Sequence, residues 1–180
     1  MSTKQFLFSG FGGQGILFAG KFMAYKGLTA DKQVSWLPSY GPEMRGGTAS
    51  CGVIISDEAV GSPIVSNPDI LIAMNLPSLD RYESAVAPGG IIFADSTLIE
   101  REVTRKDVTV YSIPATQLAG ENGFPTLANM VIVGKILSVL GEFEDEAGVL
   151  AALGKVISAK RADMLETNLK ALRLGAEYQC

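Results

Sequence analysis

Three short runs in this chain, KQFLFSG, NPDILIAMN and GIIFADST, are apolar through their middles and closed by Gly, Asn or Ser-Thr. None alternates apolar with polar, so each reads as a buried strand; NPDILIAMN in particular has the pattern of a central parallel strand covered on both faces. Its Asn-Pro opening marks the turn that leads into it. KQVSWL, TASCGVIISD and DVTVYSIP add further strands, and DEAVGSPIV reads as a turn into another short one.

Helical spacing fills the gaps. From Gly13 to about Leu28, apolar residues fall at Ile16, Leu17, Ala19, Gly20, Met23 and Ala24. LPSLDRYESAVAPGG carries Pro77 near its first turn and Gly89-Gly90 beyond its end, the asymmetry of a helix. From Ala115 the pattern turns helical, with FPTLANMVIVGKILSVLG, DEAGVLAALGKVIS and KRADMLETNLKALRLGAEY in succession. This order implies an α/β fold: a Rossmann-like, mainly parallel sheet with flanking helices and a helical C-terminal third. With 180 residues, 47% of them hydrophobic, the chain suits one well-buried core, a single domain over 1–180.

Composition removes several functions. The net charge is −4 and basic residues stand singly, so no stripe exists to track a nucleic-acid backbone. The start, MSTKQFLFSGFGGQG, runs into glycines before an apolar leader segment forms, which points to the cytoplasm. No segment reads as a membrane span: TLANMVIVGKILSVL is too short and too interrupted for one. Cys51 and Cys180 are too far apart for a Cys-x-x-Cys zinc or iron–sulfur framework, and histidine is absent. A self-contained hydrolase or metalloenzyme is hard to build from that inventory, so neither a catalytic residue nor a metal ligand is assigned.

The stretch FSGFGGQGILFAGKF satisfies one nucleotide pattern and nearly satisfies a second. Gly10, Gly12 and Gly15 fit G-x-G-x-x-G, between a strand and a helix, where backbone amides approach phosphate. The acidic residue that would hold a ribose is missing, because the second strand ends in Trp36, Leu37 and Pro38 and Asp31 comes too early. The phosphate-loop pattern through Gly15, Gly20 and Lys21 fails at Phe22, where a hydroxyl is required, and Lys21 becomes a solvent-facing helix residue. The glycines then serve either a ligand or partner, or merely a tight turn against the sheet. Gln14 favours the first, since its carboxamide stands at a helix N-terminus.

PSYGPEMRGGTAS is a thirteen-residue loop, long enough to suggest a function of its own. Gly41-Pro42 imposes a turn, Tyr40 brings a rigid ring, and Glu43 and Arg45 share a side in an extended segment. Gly46-Gly47 permits close backbone approach. The plain alternative is a mobile surface loop with a solvated ion pair.

Taken together, GFGGQGILFAGK, PSYGPEMRGGTAS, NPDILIAMN, NMVIVGKIL and LETNLKALRLGAEY resemble the gamma subunit of 2-oxoacid:ferredoxin oxidoreductases, the pyruvate/ketoisovalerate oxidoreductase catalytic-domain family, over about Gln5 to Tyr178. The resemblance implies a subunit of a multi-chain enzyme that decarboxylates a 2-oxoacid to its acyl-CoA and reduces ferredoxin. It implies alpha and beta chains as partners, with a delta chain where one is present. Thiamine diphosphate, Mg and iron–sulfur clusters would sit on those chains, and no cofactor on this one. Coenzyme A would be held where the subunits meet. Gly10, Gly12, Gly13, Gln14 and Gly15, with Ser39, Tyr40, Gly41, Pro42, Glu43, Arg45, Gly46, Gly47 and Thr48, would face the catalytic chains or that coenzyme, Arg45 meeting either a phosphate or a neighbouring carboxylate. The Met after Glu in GPEMRGG leans toward 2-oxoglutarate or a branched-chain 2-oxoacid. The alternative is a stand-alone Rossmann-like nucleotide-binding oxidoreductase.

TLANMVIVGKILSVL has one charge, Lys135, and apolar residues all round. Such a helix is either buried in the core or shared between core and a subunit interface. Leu165, Leu169, Leu172 and Ala176 form a core stripe on the last helix.

Overall fold

The computed structural model describes residues 3–39 and 48–180. Among them, six strands form one sheet in the order β2-β3-β1-β4-β5-β6, with β1 at Thr3–Phe11, β2 at Gln33–Ser39, β3 at Thr48–Ser56, β4 at Ile70–Ala73, β5 at Ile91–Asp95 and β6 at Thr109–Ile113. β1, β4, β5 and β6 run parallel, while β3 is antiparallel to both β1 and β2. The helices are α1 (Ile16–Thr29), α2 (Leu76–Tyr82), α3 (Ala115–Glu121), α4 (Ala128–Val139), α5 (Glu146–Val156) and α6 (Asp163–Glu177).

The continuous apolar runs behave as their pattern demands. Along β1, Phe6 and Phe8 enter a core with α1 and α4, while Leu7 enters a second core on the opposite face with Leu71, Leu79 and Ile92. β4 divides the same way, Ile70 and Ile72 to one side and Leu71 and Ala73 to the other. Every residue of β4 is buried. β2 is an edge strand, which is why Pro38 is tolerated inside it.

The long apolar helix lies in the core. Every residue of α4 from Ala128 to Leu137 is buried within this chain. Its single charge escapes by reach: Lys135 Nζ donates to the Tyr178 carbonyl at 2.9 Å and lies 5.8 Å from the Tyr111 ring centroid. α4 crosses α6 through glycines: a β-carbon on Gly134 would land on the Leu172 carbonyl oxygen.

Four expectations need correction. Residues 57–65 form no strand; Gly61 and Pro63 interrupt the run, and Val65 instead packs beside Gly52. The helix of LPSLDRYESAVAPGG ends at Tyr82 and continues as a 3-10 turn over Glu83–Ala85, because Val86 is extended and Pro88 forbids the helical region to the residue before it. The long connection is shorter than its composition suggests: β2 runs through Ser39 and β3 begins at Thr48. Lys21 is half-buried, with its amine 5.9 Å from the Tyr25 ring centroid.

Candidate functional site: a glycine turn beside the start of β3

The sheet register brings the glycine turn beside Ser39 and Thr48, the residues that flank the second signature. Phe11, the last residue of β1, pairs with Thr48, the first residue of β3, and Ser39 pairs with Ser50 on the other side of β3. The turn after β1 and the feet of the 40–47 connection therefore share one edge of the sheet. That edge also carries the C-terminal ends of the parallel strands β4 and β5. The helices after β1 and β4 take opposite faces, α1 packing with Phe6 and Phe8 and α2 with Leu7. Ligands of open α/β sheets bind in the crevice that such a divergence opens.

The turn itself is built from conformations that suit glycine. Gly13 has φ +94° and Gly15 has φ +72°. At Gly10 a β-carbon would come within 2.6 Å of the Gln14 carboxamide oxygen and 2.9 Å of Met74, leaving no room for a side chain. Gly12 and Gly13 are exposed, as is the neighbouring Phe11. Gly15 caps α1, and the first turn of that helix holds no acidic residue, so its leading amides face no carboxylate of their own.

Gln14 is engaged inside the turn. Its Oε1 accepts from the Phe11 amide at 2.6 Å, and its Nε2 donates to the Met74 carbonyl at 3.0 Å. The Met74 amide in turn donates to the Ser9 carbonyl at 2.8 Å. The side chain that stood out in sequence thus ties the turn to the end of β4. On the other flank, Asn129 of α4 donates from Nδ2 to the Gly15 carbonyl at 3.0 Å, a contact that sequence reading missed. Its signal was an Asn at the start of an otherwise apolar helix.

Of the other site residues named from sequence, Ser39 is exposed at the end of β2 and Thr48 opens β3. Tyr40, Gly41, Pro42, Glu43, Arg45, Gly46 and Gly47 lie outside the described residues.

The nucleotide patterns do not survive the fold. Ile16 to Ala19 are helical, and Phe22 is fully buried, so no phosphate loop exists there. Asp31 has φ +55° in the turn before β2, at the far end of that strand from the glycines, and β3 stands between β1 and β2. Among the described residues, no ribose-holding carboxylate is set where a dinucleotide would need it.

Cys51 lies under α1, with its Sγ 3.6 Å from the Ile16 carbonyl oxygen. Burial pushes its thiol up to about 12, against the opposing influence of Trp36 and Gly20. A buried thiol of that kind and an exposed Cys180 do not fit an iron–sulfur cluster. Among the described residues, no three His, Cys, Asp or Glu side chains gather as metal ligands, and no helix is long and apolar enough to cross a membrane.

The chain is similar to known proteins along nearly its whole length. It is 41% identical over 170 residues to the ketoisovalerate oxidoreductase subunit VorA of Methanothermobacter thermautotrophicus, covering 94% of this chain and 35% of that protein. It is 35% identical over 177 residues to the 2-oxoglutarate synthase subunit KorC of Methanocaldococcus jannaschii, covering 97% of this chain and 92% of that one. The chain thus spans about a third of the VorA proteins it matches and nearly all of this KorC. Its fold is that of the gamma subunit of a keto/oxoacid ferredoxin oxidoreductase from Geobacter sulfurreducens, with a TM-score of 0.81, 28% identity and coverage of 97% and 96%. A 2-oxoglutarate:ferredoxin oxidoreductase from Magnetococcus marinus, solved with 2-oxoglutarate, coenzyme A and succinyl-CoA, shares the fold at a TM-score of 0.86 and 24% identity, over all of this chain and 32% of that one. Residues 5–178 match the family model for pyruvate ferredoxin/flavodoxin oxidoreductase, and the chain belongs to that family.

Proposed function

We propose that this chain is the gamma subunit of a 2-oxoacid:ferredoxin oxidoreductase and shapes the inter-subunit active site or the coenzyme A site, while the chemistry proceeds on other chains. The observation that supports this reading is the Phe11–Thr48 pairing, which sets the glycine turn beside the residue that follows the second signature. The side chains agree with it: histidine is absent, and the buried thiol of Cys51 is held far from its reactive form. What the turn offers is exposed backbone at Gly12 and Gly13, suited to hydrogen bonding a ligand or a neighbouring chain.

In this reading the alpha and beta chains are the partners, with a delta chain where one is present, and ferredoxin is reached through the complex in the cytoplasm. Thiamine diphosphate, Mg and the iron–sulfur clusters belong to those chains, and coenzyme A binds where they meet this one. The substrate is a branched-chain 2-oxoacid or 2-oxoglutarate, supported by the names of the VorA and KorC relatives. Arg45 belongs to the contact with a neighbouring subunit.

Reconstitution tests this. The purified chain alone should show no 2-oxoacid- and coenzyme-A-dependent reduction of a viologen dye, and adding it to its alpha and beta partners should restore the reaction. Activity of the chain alone, or equal activity of the partners without it, overturns the proposal. Comparing 2-oxoisovalerate with 2-oxoglutarate in the restored complex decides the substrate.

A further inference from the structure

We infer that Asn129 is a positioning residue for the glycine turn, which rests on the reading of that turn as part of the working face. Asn129 is 3% exposed and sits in the first turn of α4. Its carboxamide donates to the carbonyl of Gly15, 114 residues earlier in the chain. That carbonyl already accepts the first hydrogen bond of α1, from the Ala19 amide at 3.0 Å. A second donor is therefore not needed to satisfy it.

Nor is Asn129 a natural choice for stability. Its Oδ1 is buried without a partner, a state that costs the folded chain free energy. An apolar side chain would fill the position without that loss. The polar group makes sense through what it holds in place. The Asn129 carboxamide also lies so close to Gly15 that a β-carbon there would overlap it.

A cavity explains why the turn needs this tie. A space of about 510 Å³ undercuts the start of α1, lined by Gly15, Phe18, Leu127, Asn129, Met164 and Asn168 among others. The core side of that helix start is packed by Ile16, 3% exposed, and the space lies along the Gly15–Asn129 tie. On the sheet side Gln14 anchors it to Met74; on the helix side Asn129 anchors it to α4. Two carboxamides thus hold the peptides of residues 11–15 between two layers. Without Asn129, the Gly15 carbonyl keeps only its bond from the Ala19 amide, and the turn loses its tie to α4.

The test uses the complex reassembled from its subunits, with Asn129→Ala, Asn129→Ser and, as a reference, Gly13→Val in the turn itself. Asn129→Ala should leave the thermal midpoint of this chain within about 3 °C and its co-elution with partners intact. It should lower kcat/KM by about tenfold or more, as small misplacements do. Asn129→Ser, which keeps a shorter donor, should recover part of that loss. Amide exchange at residues 11–15 should accelerate in Asn129→Ala with the rest of the chain unchanged. Kinetics unaltered in Asn129→Ala while Gly13→Val impairs them would overturn the role of Asn129 and leave the turn standing. Kinetics unaltered in both would overturn the reading of the turn as well. A kinetic loss that merely tracks a fallen thermal midpoint would make Asn129 a structural residue, and the inference fails.

Discussion

Gly175 lies so close to Val131 that a β-carbon built on it would overlap the Val131 carbonyl oxygen, and Gly134 meets Leu172 in the same way on the opposite helix. α4 and α6 touch backbone to backbone at two points, one glycine supplied by each. Backbone cannot move aside as a flexible side chain does, so Gly175→Ala must push the helices apart. We expect a loss of about 1–3 kcal/mol or more, read from the urea midpoint of the isolated chain. Gly154→Ala, where a β-carbon meets nothing, should leave that midpoint unchanged or raised.

Acid should weaken the face opposite α4 through Glu83. Burial pushes this carboxyl up, but hydrogen bonds from Thr104, Arg101 and Arg105 outweigh it and hold it down at about 2, against an ordinary 4.5. Between those values the unfolded chain takes up a proton that the folded chain refuses. The stabilisation is complete above pH 4.5 and is lost as pH falls toward 2. It amounts to about 2–3 kcal/mol. Glu83→Gln should flatten the pH dependence of the urea midpoint over that window; an unchanged slope would remove Glu83 as its source.

The two thiols should separate cleanly under a disulfide reagent at pH 8. Cys180 is exposed and should react at once, whereas Cys51 is buried with its thiol held near 12. Its thiolate fraction, and hence its rate, should be lower by about a thousandfold until the chain unfolds. Two fast equivalents in the native protein would contradict the burial of Cys51.

Gln14→Ala removes two hydrogen bonds at once, to the Phe11 amide and the Met74 carbonyl. The expected cost is about 1–2 kcal/mol in stability, measured by denaturant unfolding. Turnover of the reassembled complex should fall further than that loss explains, because the turn loses its anchor to the sheet.

The strands that are buried on both faces were the most legible part of the molecule. NPDILIAMN has no alternation because Ile70 and Ile72 serve one core and Leu71 and Ala73 the other. Residues 57–65 misled for the opposite reason: Val60, Ile64 and Val65 have the composition of a strand, but Gly61 and Pro63 break the ladder between them. The glycine turn could be located from GFGGQG, yet the duty of Gln14 could not. That duty depends on β4 lying beside β1, a pairing across 60 residues of chain. Asn129 showed only as a polar residue at the start of an apolar helix, and its partner Gly15, 114 residues away, could not be read from local pattern.

β1 stands third among the six strands, flanked by β3 and β4 along its length, with side chains packed on both faces. A bend carried on the end of such a strand inherits its stiffness. The chain has given up the rotational freedom of those glycines during folding, so association at this edge has little conformational entropy left to remove from them. In the proposed assembly, recognition there depends on shape already fixed before any other molecule arrives.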